Sequence, residues 1–298
     1  MRRQMSQQYE TQKYFGDEAE RWDAQAKKLQ YNTITDRNNS VLDSFRRHGN
    51  VKNFLDVGCG TGQLTIQISG LGVEASGIDF AQEMIDVCRK NAITANSTAK
   101  FNCASIFDVS LLDSSFDLIS AQGFIEYISE LELTKFLGTL SRILKKDGQA
   151  VIGSRNRLFN IASMNEYTLL EVEIGAIANL LAEAIAVQMS PSQQSLFKTL
   201  SQFSFDLNRP AAHPHTGIDV ATRYQYTPSE LIAKFREVGF VPSQIYPINF
   251  HPMPQSLLTN EKLLQTKDQL SSVVASEYPN THQFVPYSSS FVMAFTKQ

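Results

Sequence analysis

Between positions 53 and 154 the chain alternates short apolar runs with segments of helical spacing, and few folds satisfy that pattern. The runs read NFLDVG, VEASGIDF, KFNCAS, FDLISAQ and QAVIGS, and segments such as 81–91 and 130–144 carry apolar residues at helical spacing between them. Runs of this length fit buried strands, and strand–helix alternation implies a parallel sheet covered by helices on both faces. The chain has 298 residues, 42% hydrophobic and 10% aromatic, which is enough for one elaborated domain or two small ones and excludes global disorder. A formal net charge of −3 argues against a nucleic-acid partner. The most apolar stretch, 174–189, is interrupted by Asn179 and Glu183, so no membrane span is expected. Cys59, Cys88 and Cys103 are an odd number without CxxC spacing, and the first residues lack the apolar core of an export signal. A reduced, cytoplasmic protein is the expectation.

Four regions follow. Residues 1–50 are polar with scattered anchors at Trp22, Tyr31 and Ile34, and read as helices forming a lid segment before the first strand. Residues 51–154 hold the ligand-binding core. The pattern breaks after Ser154 and resumes at Thr227-Pro228-Ser229-Glu230, a capping box with proline at the first helical position, and Gly239 ends that helix. The interval 155–226 is too long for a loop. A stripe of Leu170, Ile174, Ile177, Leu181 and Ile185, opened by a capping box of Thr168 and Glu171, predicts one amphipathic helix there. The expected role of this insertion is an acceptor-binding cap, with a homodimer contact as a second use. Residues 227–298 complete the core with strands SQIYPINF and SSFVMAFTK, joined by a mostly polar connection over 251–288.

The chemistry starts at Asp56-Val57-Gly58-Cys59-Gly60-Thr61-Gly62, which follows Phe54-Leu55 and precedes a helical run. Glycines are needed where a strand turns sharply into a helix and the backbone must approach a ligand. A dinucleotide fingerprint would place glycine at 63, where the chain has Gln63, and this argues against a pyrophosphate ligand. Asp79, 21 residues past Gly58, ends the next strand, from which a carboxylate can accept both hydroxyls of a ribose. The two signals describe an adenosine-type ligand without a phosphate tail.

DVGCGTG, followed by GIDFAQEMI and FDLISAQGFIEYI, resembles the class I S-adenosylmethionine-dependent methyltransferase family, in particular its small-molecule branch with quinone and sugar methyltransferases. The resemblance implies a Rossmann-like, seven-stranded, mostly parallel α/β sheet with the helical insertion over the active site. It also implies S-adenosylmethionine as cofactor and S-adenosylhomocysteine as product. On that resemblance Gly58, Cys59 and Gly60 line the methionine moiety, Asp56 supports the turn and Asp79 holds the ribose. Phe80 and Met84 flank the adenine, Ser105 and Ile106 take the place where relatives often have an acid, and Gln122 follows the fourth strand. Trp22, Tyr31 and Arg37 are either part of a lid over the cofactor or the packing of a terminal helix.

A small-molecule acceptor is expected, with a hydroxyl oxygen first and a nitrogen second; a silent S-adenosylmethionine-binding protein and a nicotinamide-dependent oxidoreductase are the rivals from other classes. Where many relatives carry Glu-His after the fourth strand, this chain has Glu126-Tyr127. The candidates for a general base are His213, His215 and His251, each also readable as a loop histidine. Tyr127, Arg155, Arg157, Tyr224 and Tyr226 are the candidate acceptor contacts, the two arginines suited to a phosphate or carboxylate. No metal site is expected. The insertion holds six acids against five bases, which gives no field for RNA.

Overall fold

The computed structural model describes residues 2–28, 31–203 and 223–298. Three N-terminal helices, α1 (Arg2–Asp17), α2 (Ala19–Ala26) and α3 (Thr33–His48), lead into the alternating region. That region runs β1 (Asn53–Val57), α4 (Gln63–Ser69), β2 (Glu74–Asp79), α5 (Gln82–Thr94), β3 (Lys100–Cys103), β4 (Phe116–Ala121), α6 (Glu130–Ile143) and β5 (Leu144–Arg155). The insertion supplies α7 (Phe159–Ser163), α8 (Glu166–Glu173), α9 (Ile177–Met189) and α10 (Gln193–Leu200). The chain closes with α11 (Pro228–Glu237), β6 (Phe240–Phe250), α12 (Glu261–Glu277) and β7 (Ser288–Lys297).

The seven strands lie in the order β3-β2-β1-β4-β5-β7-β6. β1 to β5 pair in parallel, and β7 runs antiparallel to both its neighbours. Alternate side chains serve opposite faces: Leu55, Val57 and Ile119 join α6 residues Leu133, Phe136 and Leu140, while Phe54, Leu118 and Val151 pack with Val41, Leu64 and Ile68 from α3 and α4. Burial on both faces explains why these strands read as continuous apolar runs. The chain order reverses between β1 and β4, and a crevice opens outside the carboxyl ends of the strands at such a point.

The insertion departs from the expected single helix. Gly175 adopts a φ of +73° and separates α8 from α9, and the capping box that opens α8 is Asn165 with Thr168, not Thr168 with Glu171. The break changes the phase of the apolar stripe. On α9 the buried residues are Leu180, Glu183, Ala184 and Val187, whereas Leu181 and Ile185 are 46% and 53% exposed. Two buried carboxylates drive this arrangement. Glu171 receives Nε and Nη2 of Arg157 at 2.9 and 2.8 Å and Nδ2 of Asn160 at 2.8 Å. Glu183 accepts from Ser229 N at 2.8 Å and Ser229 Oγ at 2.6 Å, placing a carboxyl against the positive end of α11, while burial pushes its pKa up to about 7. The described insertion helices pack on β6, α11 and the turn before β7. The connection over 251–288 contains α12, whose buried residues are Lys267, Ser271 and Val274, so no apolar stripe marks it in the sequence. Among the described residues no helix is long and apolar enough to cross a membrane.

Candidate active site

At the switch point β1 ends in a turn with Gly58, Gly60 and Gly62 at φ values of +67°, +54° and +85°. Each does a different job. A Cβ on Gly60 would meet nothing within 4 Å, because that side of the turn is open, whereas one on Gly62 would lie 2.9 Å from the Phe101 ring and 3.0 Å from Cys88 Sγ. Gly60 thus keeps a ligand surface clear and Gly62 lets the turn sit down on β3 and α5. Gly58 N and Cys59 N donate to Ile78 O at 2.9 and 3.1 Å, tying the turn to the end of β2.

Asp79 closes β2 with Oδ2 accepting from Gly60 N at 3.1 Å and Oδ1 from Ala81 N at 3.0 Å. Burial pushes its pKa up to about 6 against the pull of these backbone donors. Asp56 sits under the turn, Oδ2 accepting from Thr65 Oγ1 at 3.1 Å, and burial raises it to about 7. Both carboxylates keep lone pairs for further donors.

The turn, β2 and the segment after β4 line one cavity of about 230 Å³. Of the residues expected to hold a cofactor, Trp22, Arg37, Asp56, Gly58, Cys59, Gly60, Asp79, Phe80, Met84, Ser105, Ile106 and Gln122 all line it. Tyr31 does not; its hydroxyl donates to Asp36 Oδ2 at 2.7 Å and its ring lies under Lys267 Nζ at 5.3 Å. Ser105 Oγ accepts from Phe107 N at 3.2 Å and shapes the turn after β3. Gln122 donates to Val151 O at 2.9 Å while its Oε1 is buried without a partner among the described residues. That oxygen lies against Gly153, where an added Cβ would collide with it.

The cover is the N-terminal segment. Gln8, Thr11 and Phe15 from α1 line the cavity, Gln12 Nε2 donates to Phe80 O at 2.6 Å, and Phe15 packs against Trp22 and edge-on against Tyr127. Gln8, Thr11 and Phe15 carried no sequence signal because a helix of mean polar character marks no core face; the aromatic pair Tyr14-Phe15 was the available cue.

At the mouth stand Glu126, Tyr127 and Arg223. Arg223 Nε donates to Glu126 Oε2 at 2.9 Å and Arg37 Nη2 lies 3.4 Å from Oε1. Despite its burial, Glu126 is held below the usual carboxylate range by Arg223, Arg37 and Arg155. Arg155, Arg157, Tyr224 and Tyr226 do not line the cavity. Arg157 is locked to Glu171, and Tyr226 is buried with Oη 3.5 Å from Glu130 Oε1. Arg223, missed in the sequence, is the insertion's described contribution to the cavity wall.

His251 also stands apart from the cavity. Its ring packs on Phe159 with centroids 4.5 Å apart, neither nitrogen has a partner among the described residues, and burial beside Lys267 and Arg155 lowers its pKa to about 3. That environment makes a feeble base, and the expectation for His251 is corrected on this ground. His213 and His215 lie outside the described residues. No group of three or more metal-ligating side chains occurs among the described residues.

Residues 54–148 match the family model described as a methyltransferase domain. The chain is 23% identical over 213 residues to a ubiquinone biosynthesis O-methyltransferase of Chromobacterium violaceum, covering 70% of this chain and 82% of that protein. It is 28% identical over 104 residues to a protein of the same name from Xanthomonas oryzae, covering 35% of this chain and 43% of the relative. Magnesium protoporphyrin IX methyltransferase from Synechocystis, solved with bound S-adenosylhomocysteine, superposes with a TM-score of 0.53 at 11% identity, covering 96% and 97% of the two chains. At that identity the superposition speaks for the fold.

Proposed function

We propose that this chain is a class I S-adenosylmethionine-dependent methyltransferase, a reading supported by the methyltransferase-domain match and the O-methyltransferase relatives, and that it methylates a hydroxyl oxygen of a small molecule held at the Glu126–Tyr127–Arg223 end of the cavity. The observation that carries the small-molecule reading is the enclosure: one cavity runs from the Asp79 carboxylate to the mouth and is roofed by α1. The hydroxyl preference rests on relatives named as O-methyltransferases.

The residues fit the cofactor. Asp79 would accept the ribose hydroxyls, Phe80, Met84 and Ile106 would pack on the adenine, and the open side of Gly60 would receive the amino-acid end. When bound, the cofactor supplies a methyl carbon made electrophilic by a sulfonium. The protein's share is therefore alignment and exclusion of water. Phe15, Trp22 and Tyr127 dry the compartment. His213 and His215, carried by the chain shortly before Arg223, are the candidates to take the hydroxyl proton.

The test is a methyl-transfer assay over matched hydroxyl and amine acceptors, with the product's methylated atom identified by mass spectrometry. Oxygen-linked product is expected; exclusive nitrogen methylation would replace the hydroxyl reading by its nitrogen rival.

A further inference from the structure

The insertion buries one guanidinium for structure and leaves another without a partner two residues away. Arg157 is held by two bonds to Glu171. The Arg155 side chain makes no hydrogen bond or ion pair to any described residue, and its Nε is sealed from solvent. A desolvated cation without a partner is costly, and a fold that supplies a carboxylate to Arg157 withholds one from Arg155.

The backbone puts Arg155 beside the mouth. Tyr226 N donates to Arg155 O at 3.2 Å and Tyr224 N donates to Glu126 O at 2.7 Å, so the strand end bearing Arg155, the segment after β4 and Arg223 are stitched together. The charge of Arg155 acts on Arg223, Glu126, Tyr167 and Tyr127. Among the described residues the guanidiniums of Arg37, Arg155 and Arg223 gather around the Glu126 carboxylate. Asp36, next to Arg37 in the chain, is engaged by Tyr31 Oη and Asn249 N. Counted over the described residues this cluster is positive, and the planar fork of the unpartnered Arg155 matches a carboxylate or phosphate.

Resting on the reading of this mouth as the acceptor site, we propose that the acceptor bears an oxyanion, carboxylate or phosphate, which Arg155 binds together with the Arg37–Glu126–Arg223 group. The anion completes the unpartnered guanidinium and orients the acceptor's reacting atom toward the methyl group.

The experiment offers the protein, saturated with S-adenosylhomocysteine, a panel of hydroxybenzoates, aminobenzoates, their methyl esters and hydroxyphenyl phosphates, with affinity read by calorimetry. The same panel is then run with labelled S-adenosylmethionine. Acids or phosphates binding at least tenfold tighter than the matched neutral esters, with the gap collapsing in Arg155→Met at unchanged S-adenosylhomocysteine affinity, is the expected result. The carboxylate and phosphate arms distinguish the two anions. Equal binding of acid and ester, no anionic binder in the panel, or a gap that survives in Arg155→Met would overturn the proposal. Methylation of the aminobenzoates alone would sink the hydroxyl reading while leaving the anion claim standing.

Discussion

Phe15 on α1 meets Tyr127 after β4 edge-on, with ring centroids 5.2 Å apart. The pair joins the α1 cover to the part of the cavity wall that carries Glu126 and Arg223. An edge-to-face pair of this kind contributes about 0.5–1.5 kcal/mol beyond its buried area. Phe15→Ala is therefore expected to weaken S-adenosylhomocysteine binding by roughly two- to tenfold or more, read by calorimetry. Unchanged affinity would mean that α1 does not roof the cofactor.

Cofactor affinity is expected to depend on pH through Asp79. Burial raises its pKa to about 6, and ribose hydroxyls donate to the ionised form, so binding favours loss of the proton. Affinity for S-adenosylhomocysteine rises with pH up to that value, by up to about tenfold per unit below it, and Asp79→Asn flattens the profile. The sign for the ligand-free protein is opposite. Asp79 and Asp56, raised to about 6 and about 7, keep protons in the folded state that the unfolded chain has released, so their contribution to stability falls as pH rises from about 4 through those values. Melting curves from pH 5 to 8, with and without ligand, check both directions.

Arg157→Ala is expected to cost about 3–5 kcal/mol of stability, because it leaves Glu171 buried and uncompensated. Denaturant unfolding measures this. A loss below about 1 kcal/mol would contradict a structural role for the pair.

If His213 or His215 takes the acceptor's proton, one alanine variant loses kcat while its S-adenosylhomocysteine affinity stays at the wild-type value. Full turnover in both variants would remove them from the chemistry.

Much of this architecture was legible because the signals are local. The apolar runs mark β1 to β5, Thr227 and Glu230 make the expected capping box of α11, and the glycine turn followed by Asp79 marks the cavity at the switch point. What escaped depends on long-range pairing. The stripe through Leu181 and Ile185 was overridden because Glu171 and Glu183 turn inward to Arg157 and Ser229, partners that no periodicity reveals. Arg155 and Arg157 look equivalent in sequence, and only the fold shows that one has a carboxylate and the other does not. The roof formed by α1 was equally hidden, since its contacts reach residues such as Phe80 and Tyr127 far along the chain.

The most direct test of the central claim is a calorimetric titration of S-adenosylhomocysteine into the wild-type chain and into Asp79→Ala. Micromolar binding by the wild type, weakened in the variant by about 1.5–3 kcal/mol for each charge-assisted bond lost, is the predicted result. Equal affinity in the two proteins would contradict the placement of the ribose on Asp79, and no binding to the wild type would contradict the cofactor site itself.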